Sequence, residues 1–266
     1  MSGNPSVKLP GFLKTLTEAS KAPLKASLTI SRPIGLPEPK VFGSQFSITK
    51  YFSPEARDQR RQQINYDLKH SQVYEYKSYT NTNGKIFRSP VSFFKGEKSL
   101  YFPNFIEKNI NGERIEFFKA LAGKVNVIRV FQSVAGANAT ETYFKSGELD
   151  YLTKNYKDFV QKFPKVQLID LNIPSDSLKN TILNMSKSNI KKSVPEERQS
   201  GYFILPHSVF NHEVRENLLC DNSYGGYIYV VDEQGRIRWC TSGNSDEADV
   251  KLFHKVLMGL SKEISV

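Results

Sequence analysis

The period of apolar and polar positions changes several times along this chain, and each change predicts an element. Tyr227–Val231 is an unbroken run of β-branched and aromatic residues, the pattern of a strand buried on both faces. Asp232–Gly235 supplies turn chemistry, with Gly235 where a left-handed backbone is needed. Arg236–Trp239 then alternates charged and apolar residues, which predicts a return strand with one wet face and one buried face. Together these residues predict a β-hairpin. Val125–Phe131 and Lys165–Leu171 read as further strands, the second closed by Pro174, and Tyr202–Leu205 as a short extended segment. Ile110–Phe118 predicts a shorter hairpin turning at Asn111–Gly112.

Helical spacing appears between the strands. Tyr151, Leu152, Phe159, Val160 and Phe163 recur at about 3.6 residues until Pro164 ends the run. Ser175 is placed to cap a helix carrying Leu178, Ile182 and Met185 on one face. Ser186–Ser200 is polar and reads as a loop, and a helix is predicted over 207–219. The last helix starts near Asp246, with Asp246, Glu247 and Asp249 at its positive end and Val250, Phe253, Leu257 and Leu260 as its buried stripe. A strand–helix–strand unit implies a parallel pair, and the closing hairpin adds antiparallel strands. The predicted fold class is α/β, a thioredoxin-like mixed sheet flanked by helices, occupying residues 110–266 with an extra hairpin at its start.

The region before it is different. Residues 1–45 are rich in Lys, Ser, Thr and Pro, with Glu18 and Glu38 as their acids. Phe12, Leu13, Leu16, Leu24 and Leu28 line a basic amphipathic stretch broken by Pro23. It is either an organelle import peptide or its remnant, or a disordered arm. Three prolines make Ser31–Pro39 an extended linker or docking segment. Residues 46–109 form an N-terminal helical and extended region, in which Pro54 opens a polar helix near 54–75 with Arg57, Arg60, Arg61 and Lys69 on a basic face. The net charge is +10; residues 1–100 carry 16 Lys/Arg against 7 Asp/Glu, and the remainder carries 21 against 20. The basic character therefore belongs to the N-terminal region and suits nucleic acid, anionic lipid or an acidic protein face. No apolar run approaches the roughly 18 residues of a membrane helix.

In a thioredoxin-like domain the reactive centre sits where the first parallel strand meets its helix, because a helix N-terminus lowers a cysteine pKa there. Here that junction, Gln132–Asn138, contains no cysteine, and Ser133 has no neighbouring base in sequence. The chain's two cysteines, Cys220 and Cys240, flank the hairpin and read as buried free thiols; a divergent thiol enzyme using them is the alternative. His207 and His212 are not spaced as metal ligands on one helix face, and no cofactor motif is present. Tyr51, Phe52, Tyr66, Tyr74, Tyr76 and Tyr79 lie among basic residues, so an organellar RNA-binding role for residues 50–100 is a further alternative. The competing reading is that these aromatics anchor the arm onto the globular domain.

Several segments together carry a family resemblance: Arg32–Gly35, Tyr101–Asn104, Gly123–Phe131, and above all Asn222 followed by Gly226–Trp239. They resemble a fungal mitochondrial family of assembly factors for the membrane sector of the F-type ATP synthase, whose members have a thioredoxin-like domain. Cys240 and Thr241 depart from it, standing where small residues such as Ala and Gly are expected. The resemblance implies a chaperone peripheral to the mitochondrial inner membrane on its matrix side. Its client would be the newly made membrane-sector subunit a (subunit 6), protected until it joins the ring of small subunits. It implies no catalytic residue and no cofactor, and no nucleic-acid partner is expected; anionic inner-membrane lipid is a candidate surface partner. The candidate partner-binding residues are Tyr101, Phe102, Pro103, Asn222, Tyr227, Arg236, Arg238 and Trp239, with an exposed Arg236/Arg238 face as the docking edge. For Trp239, core packing is the competing reading.

Overall fold

The computed structural model describes residues 27–43, 54–69, 71–174, 186–206 and 208–264. In chain order the first elements are β1 (Leu28–Thr29), β2 (Val41–Phe42), α1 (Pro54–Lys69), α2 (Gln72–Asn81), β3 (Phe87–Arg88), β4 (Asn104–Lys108), β5 (Arg114–Glu116) and α3 (Phe117–Leu121). The central part follows as β6 (Val125–Phe131), α4 (Val134–Glu141), β7 (Lys145–Ser146), β8 (Leu149–Asp150), α5 (Tyr156–Lys162) and β9 (Val166–Asn172). Then come α6 (Lys187–Ser193), α7 (Glu196–Gln199), β10 (Tyr202–Ile204), α8 (His212–Leu218), β11 (Gly226–Val231), β12 (Ile237–Ser242) and α9 (Glu247–Glu263).

The main sheet has the order β10-β9-β6-β11-β12. β10, β9 and β6 are parallel, and the β11–β12 hairpin joins β6 antiparallel. A parallel β6–β9 pair joined through helices and flanked by a closing hairpin and terminal helix is the thioredoxin-like plan. Alternation along the strands sorts side chains onto two faces. Val125, Val127, Leu168, Ile228, Val230 and Trp239 pack with α5 and α9 residues such as Phe159, Phe253 and Leu257. Ile128, Val130, Ile169, Leu171, Tyr227, Tyr229 and Val231 form the other core. There they meet Phe117 of α3, Val214 and Leu218 of α8, and Ile30, Leu36, Phe87, Phe102 and Phe105 from the N-terminal region. The N-terminal residues thus complete one of the two cores.

The hairpin forms where the pattern predicts, and Gly235 takes φ +83° in its turn. Its return strand differs from expectation: every residue of β12 is buried, Arg238 included. The wet face is missing because residues 86–101 cover the outer edge of the sheet. Phe94 N–H donates to the Arg238 carbonyl at 2.7 Å, Ile237 N–H to the Leu100 carbonyl at 2.7 Å, and Ser242 Oγ bridges the Phe87 backbone. Covering an edge this way removes a template for strand addition.

Other differences have local causes. The single helix predicted over 54–75 is two, because Ser71 accepts the Tyr74 N–H and starts α2. The strand that pairs with β5 is β4, preceding Ile110. Asn109 Oδ1 holds the turn by accepting the Asn111 and Glu113 N–H groups, and Phe117 enters the core at the head of a helix instead of extending a strand. A boundary at 109/110 would cut through this pair. The helix expected from Tyr151 begins at Tyr156, and α4 lies before it, at the end of β6. Ser186–Ser200 is largely helical, since Ile190 and Val194 pack against the cluster of Ile110, Phe131 and Tyr202. The cap at Asp246 is as predicted, with a reciprocal Asp246–Asp249 capping box. The 1–26 arm and the helix expected after Ser175 lie outside the described residues.

Candidate functional site

β6 ends at Phe131, and Ser133 Oγ caps α4 by accepting the Gly136 N–H at 3.1 Å. The start of α4 lies directly on the backbone leading into β11: a Cβ placed on Gly226 would be 2.0 Å from the Gly136 carbonyl oxygen. Glycine at both positions is what permits this approach. The thiols lie elsewhere. Cys220 and Cys240 are free and fully buried. Burial pushes the Cys220 thiol up to about 12 and the Cys240 thiol upward as well, so neither is a ready thiolate at neutral pH.

Beside this junction opens a cleft of about 710 Å³ whose floor is ionic. The register makes it so: Arg129 of β6 is the direct cross-strand partner of Asp170 of β9, and Tyr202 of β10 is the next residue in the row. Arg129 Nη1 donates to Asp170 Oδ1 at 2.7 Å, its Nε to Thr140 Oγ1 at 3.1 Å and its Nη2 to the Ala137 carbonyl at 3.3 Å. Arg198 of α7 takes the other Asp170 oxygen through Nη2 and the Leu152 carbonyl through Nη1. Arg129, Asp170 and Arg198 are 4%, 3% and 4% exposed. Two guanidinium groups thus share one carboxylate out of water. Burial lowers the Arg129 pKa from its ordinary value while Asp170 opposes the shift, and Tyr202 is pushed up to about 12, by burial first and Asp170 second.

The rim adds Lys145, which bonds Glu141 at 2.5 Å, and Glu141 stands 3.9 Å from Arg129. Gln132 Oε1 accepts from Arg215 Nη2 at 2.8 Å. Two buried donors of the cleft, Arg198 Nε and Gln132 Nε2, have no acceptor among the described residues. Val134, Ala137, Leu152, Ile190 and Val194 make the walls apolar. The serine of this junction, Ser133, is engaged as the cap of α4.

The eight residues predicted to bind a partner do not make one exposed surface. Phe102, Pro103, Asn222, Tyr227, Arg238 and Trp239 are buried. Trp239 Nε1 donates to the Pro90 carbonyl at 3.1 Å, and Arg238 bonds the Phe94 carbonyl, Asp232 and Glu263. Tyr101 and Arg236 are part-exposed and pair, guanidinium over ring at 5.6 Å. Asn222 and Tyr227 bond each other at the far end of the hairpin. The aromatics of the basic region act as anchors where they are described: Tyr66 is buried, and Tyr76 and Tyr79 pack on Tyr224. His212 N–H bonds Gln63 Oε1 at 3.1 Å, tying α8 to α1.

Sequence reasoning missed Arg129, Asp170, Arg198 and Gln132. A signal for the first two was present: each is the lone charge of a mostly apolar strand, and a buried charge must be paired.

A family model described as ATP10 protein matches residues 14–260 of this chain. A Candida glabrata protein named "Mitochondrial ATPase complex subunit ATP10" is 31% identical over 262 residues, covering 96% of this chain and 92% of its own. The protein of that name from Eremothecium gossypii is 28% identical over 238 residues, covering 88% and 85%. Among solved structures, a secreted thiol-disulfide isomerase from Corynebacterium glutamicum covers 65% of this chain and 92% of its own at 10% identity, with a TM-score of 0.38.

Proposed function

This chain belongs to the ATP10 protein family, and from that premise we propose that it is a non-enzymatic assembly factor of the mitochondrial ATP synthase. It binds the newly made membrane-sector subunit a and holds it until the ring of small subunits is ready to receive it. The observation that carries the non-enzymatic part is the β6–α4 junction, where a thioredoxin-like enzyme would hold its thiolate and this chain holds Gln132 and a capping Ser133. What remains there is a recognition cleft. The protein works at the inner membrane, on the matrix side, as a peripheral protein. Among the described residues no helix is long and apolar enough to cross a membrane, and the basic N-terminal region suits an anionic lipid surface.

Affinity capture of pulse-labelled mitochondrial translation products tests client and compartment together. Labelled subunit a is expected in the eluate of tagged protein; an eluate without it, beside a mock capture, removes the client assignment. A deletion strain is expected to keep the soluble ATPase sector and lose oligomycin-sensitive ATPase. Normal oligomycin sensitivity in that strain removes the assembly reading.

A further inference from the structure

α9 buries Phe253, Val256, Leu257 and Leu260, but its outer side is not simply polar. Lys255, Met258, Gly259 and Lys262 recur at i, i+3, i+4 and i+7 and so share one face. This face meets Lys162 and Phe163 at the end of α5, and Phe93 from the segment that covers β12. Together they line a groove of about 470 Å³. Gly259 shapes its floor, because a Cβ there would lie 2.6 Å from the Phe93 ring; only glycine lets the ring rest on the helix. Met258, at 52% exposure, leaves a long apolar side chain at the mouth.

The charge of the groove is of one sign: it is lined by Lys162, Lys255 and Lys262 and by no acidic residue. Among the described residues none of these lysines forms an ion pair, and the carboxylates of α5 and α9 are engaged elsewhere. Glu247 pairs with Lys251, Asp249 with Lys85 and Glu263 with Arg238; Asp246 caps α9, and Asp158 accepts from the Asn155 amide. Lys162 Nζ stands 5.4 Å from the centre of the Phe163 ring, at the boundary of the charged and apolar parts. The N–H groups of α9 and of Phe163 are bonded within their own helices, and Pro164 has none, so an extended peptide would find few backbone partners here. An acyl chain needs none. We propose that this groove docks on the anionic phospholipid of a bilayer surface. Lys162, Lys255 and Lys262 meet phosphate groups, while Met258 and the edge of Phe93 reach the upper acyl carbons. The choice of a bilayer rests on the peripheral placement proposed above, and it gives the folded domain a membrane contact separate from the basic N-terminal region.

The test is flotation of the full chain with phosphatidylcholine vesicles containing about 30 mol% phosphatidylglycerol, at about physiological ionic strength. Lys162→Gln/Lys255→Gln/Lys262→Gln should bind these vesicles about tenfold more weakly than the parent, since each lysine near an anionic surface contributes several-fold. Lys108→Gln/Lys154→Gln/Lys191→Gln removes the same charge from exposed lysines outside the groove and should weaken binding by less than about threefold. All six lysines are exposed, so both variants should melt like the parent. Equal binding by the two variants overturns the proposal.

A nitrobenzoxadiazole dye on Met258→Cys reports entry into the acyl region, since Cys220 and Cys240 are buried. Its emission should shift to the blue on anionic vesicles, and the same dye on Lys191→Cys should not shift. No shift at 258, or an equal shift at both positions, overturns the proposal. A groove made for an acidic helix of a partner would give a different result. The groove variant would then keep its vesicle binding and lose capture of subunit a from detergent extracts, which also overturns the lipid assignment. Fractionation of mitochondria separates this proposal from the placement it rests on. Groove-dependent flotation of a protein found in the matrix supernatant leaves the groove and refutes the placement. Groove-independent flotation of a protein found in the membrane pellet refutes the groove and leaves the placement.

Discussion

Replacing Asp170 with asparagine removes the one negative charge shared by Arg129 and Arg198. In the parent, one Asp170 oxygen accepts from Arg129 at 2.7 Å and the other from Arg198, with all three side chains almost wholly out of water. After the substitution two guanidinium groups remain buried, and the nearest other carboxylate to Arg129 is Glu141 at 3.9 Å, 30% exposed and already bonded to Lys145. Breaking a buried pair by removing one partner costs about 3–5 kcal/mol, because the orphaned charge keeps its desolvation penalty. Asparagine retains one oxygen and recovers about 1 kcal/mol as a hydrogen bond. The expected loss is therefore about 3 kcal/mol. Urea unfolding read by the emission of Trp239, the chain's single tryptophan, measures it. With a slope of about 2 kcal/mol/M, the midpoint should fall by about 1.5 M. The comparison is Glu247→Gln, which breaks an exposed i,i+4 pair with Lys251 and should cost less than about 1 kcal/mol. An Asp170→Asn midpoint shift no larger than that of Glu247→Gln would show that the cluster is solvated and the reasoning wrong.

Other consequences follow from the same geometry. Both thiols are buried and shifted upward, so Ellman's reagent should titrate neither in the native protein and two in denaturant. A Cys220→Ala/Cys240→Ala double variant should complement a deletion strain, whereas failure with normal protein levels would favour thiol chemistry. His254 is held neutral, its pKa lowered from 6.5 to about 4 by burial first and Lys162 second. Because the unfolded chain binds the proton more tightly, this contribution is complete above pH 6.5 and lost as pH falls toward 4. His254 is partly exposed, which reduces the roughly 3 kcal/mol of the full shift to about 1–2 kcal/mol; His254→Phe should flatten the melting temperature over pH 4–6.5. Gly226→Ala places a methyl 2.0 Å from the Gly136 carbonyl oxygen and must displace α4, so it should lower stability by about 3 kcal/mol in thermal or urea unfolding.

The elements that local pattern predicts well are those whose neighbours in sequence are also their neighbours in space. The Tyr227–Val231 run, the Asp232–Gly235 turn and the Asp246–Asp249 cap are all local and form as predicted; of the α9 stripe Phe253, Leu257 and Leu260 are buried as predicted, while Val250 is half-buried and Val256 is buried beside them. α4 was illegible because Val134–Glu141 has no apolar period; its packing rests on two glycines in backbone contact across about 90 residues of chain. Ser186–Ser200 read as a loop because the surface that Ile190 and Val194 cover comes from β6 and β10. Likewise, the alternation of Arg236–Trp239 fits a half-exposed strand as well as one covered from elsewhere.

The closing hairpin shows the division most clearly. Side-chain shape and turn chemistry within thirteen residues were enough to determine that Tyr227–Trp239 folds back on itself and that its first strand is central. Which face of the return strand meets water depended on residues 86–101, whose Phe94 lies 144 positions from Arg238 and bonds it on both backbone and side chain. The same limit applied to the cleft. Arg129 and Asp170 were visible as isolated charges, but only the parallel register of β6 with β9 set them side by side, and only the chain's return at α7 brought Arg198 to the same carboxylate. Backbone propensity acts over a few residues, whereas the pairing of buried charges is decided by whatever part of the chain packs against them.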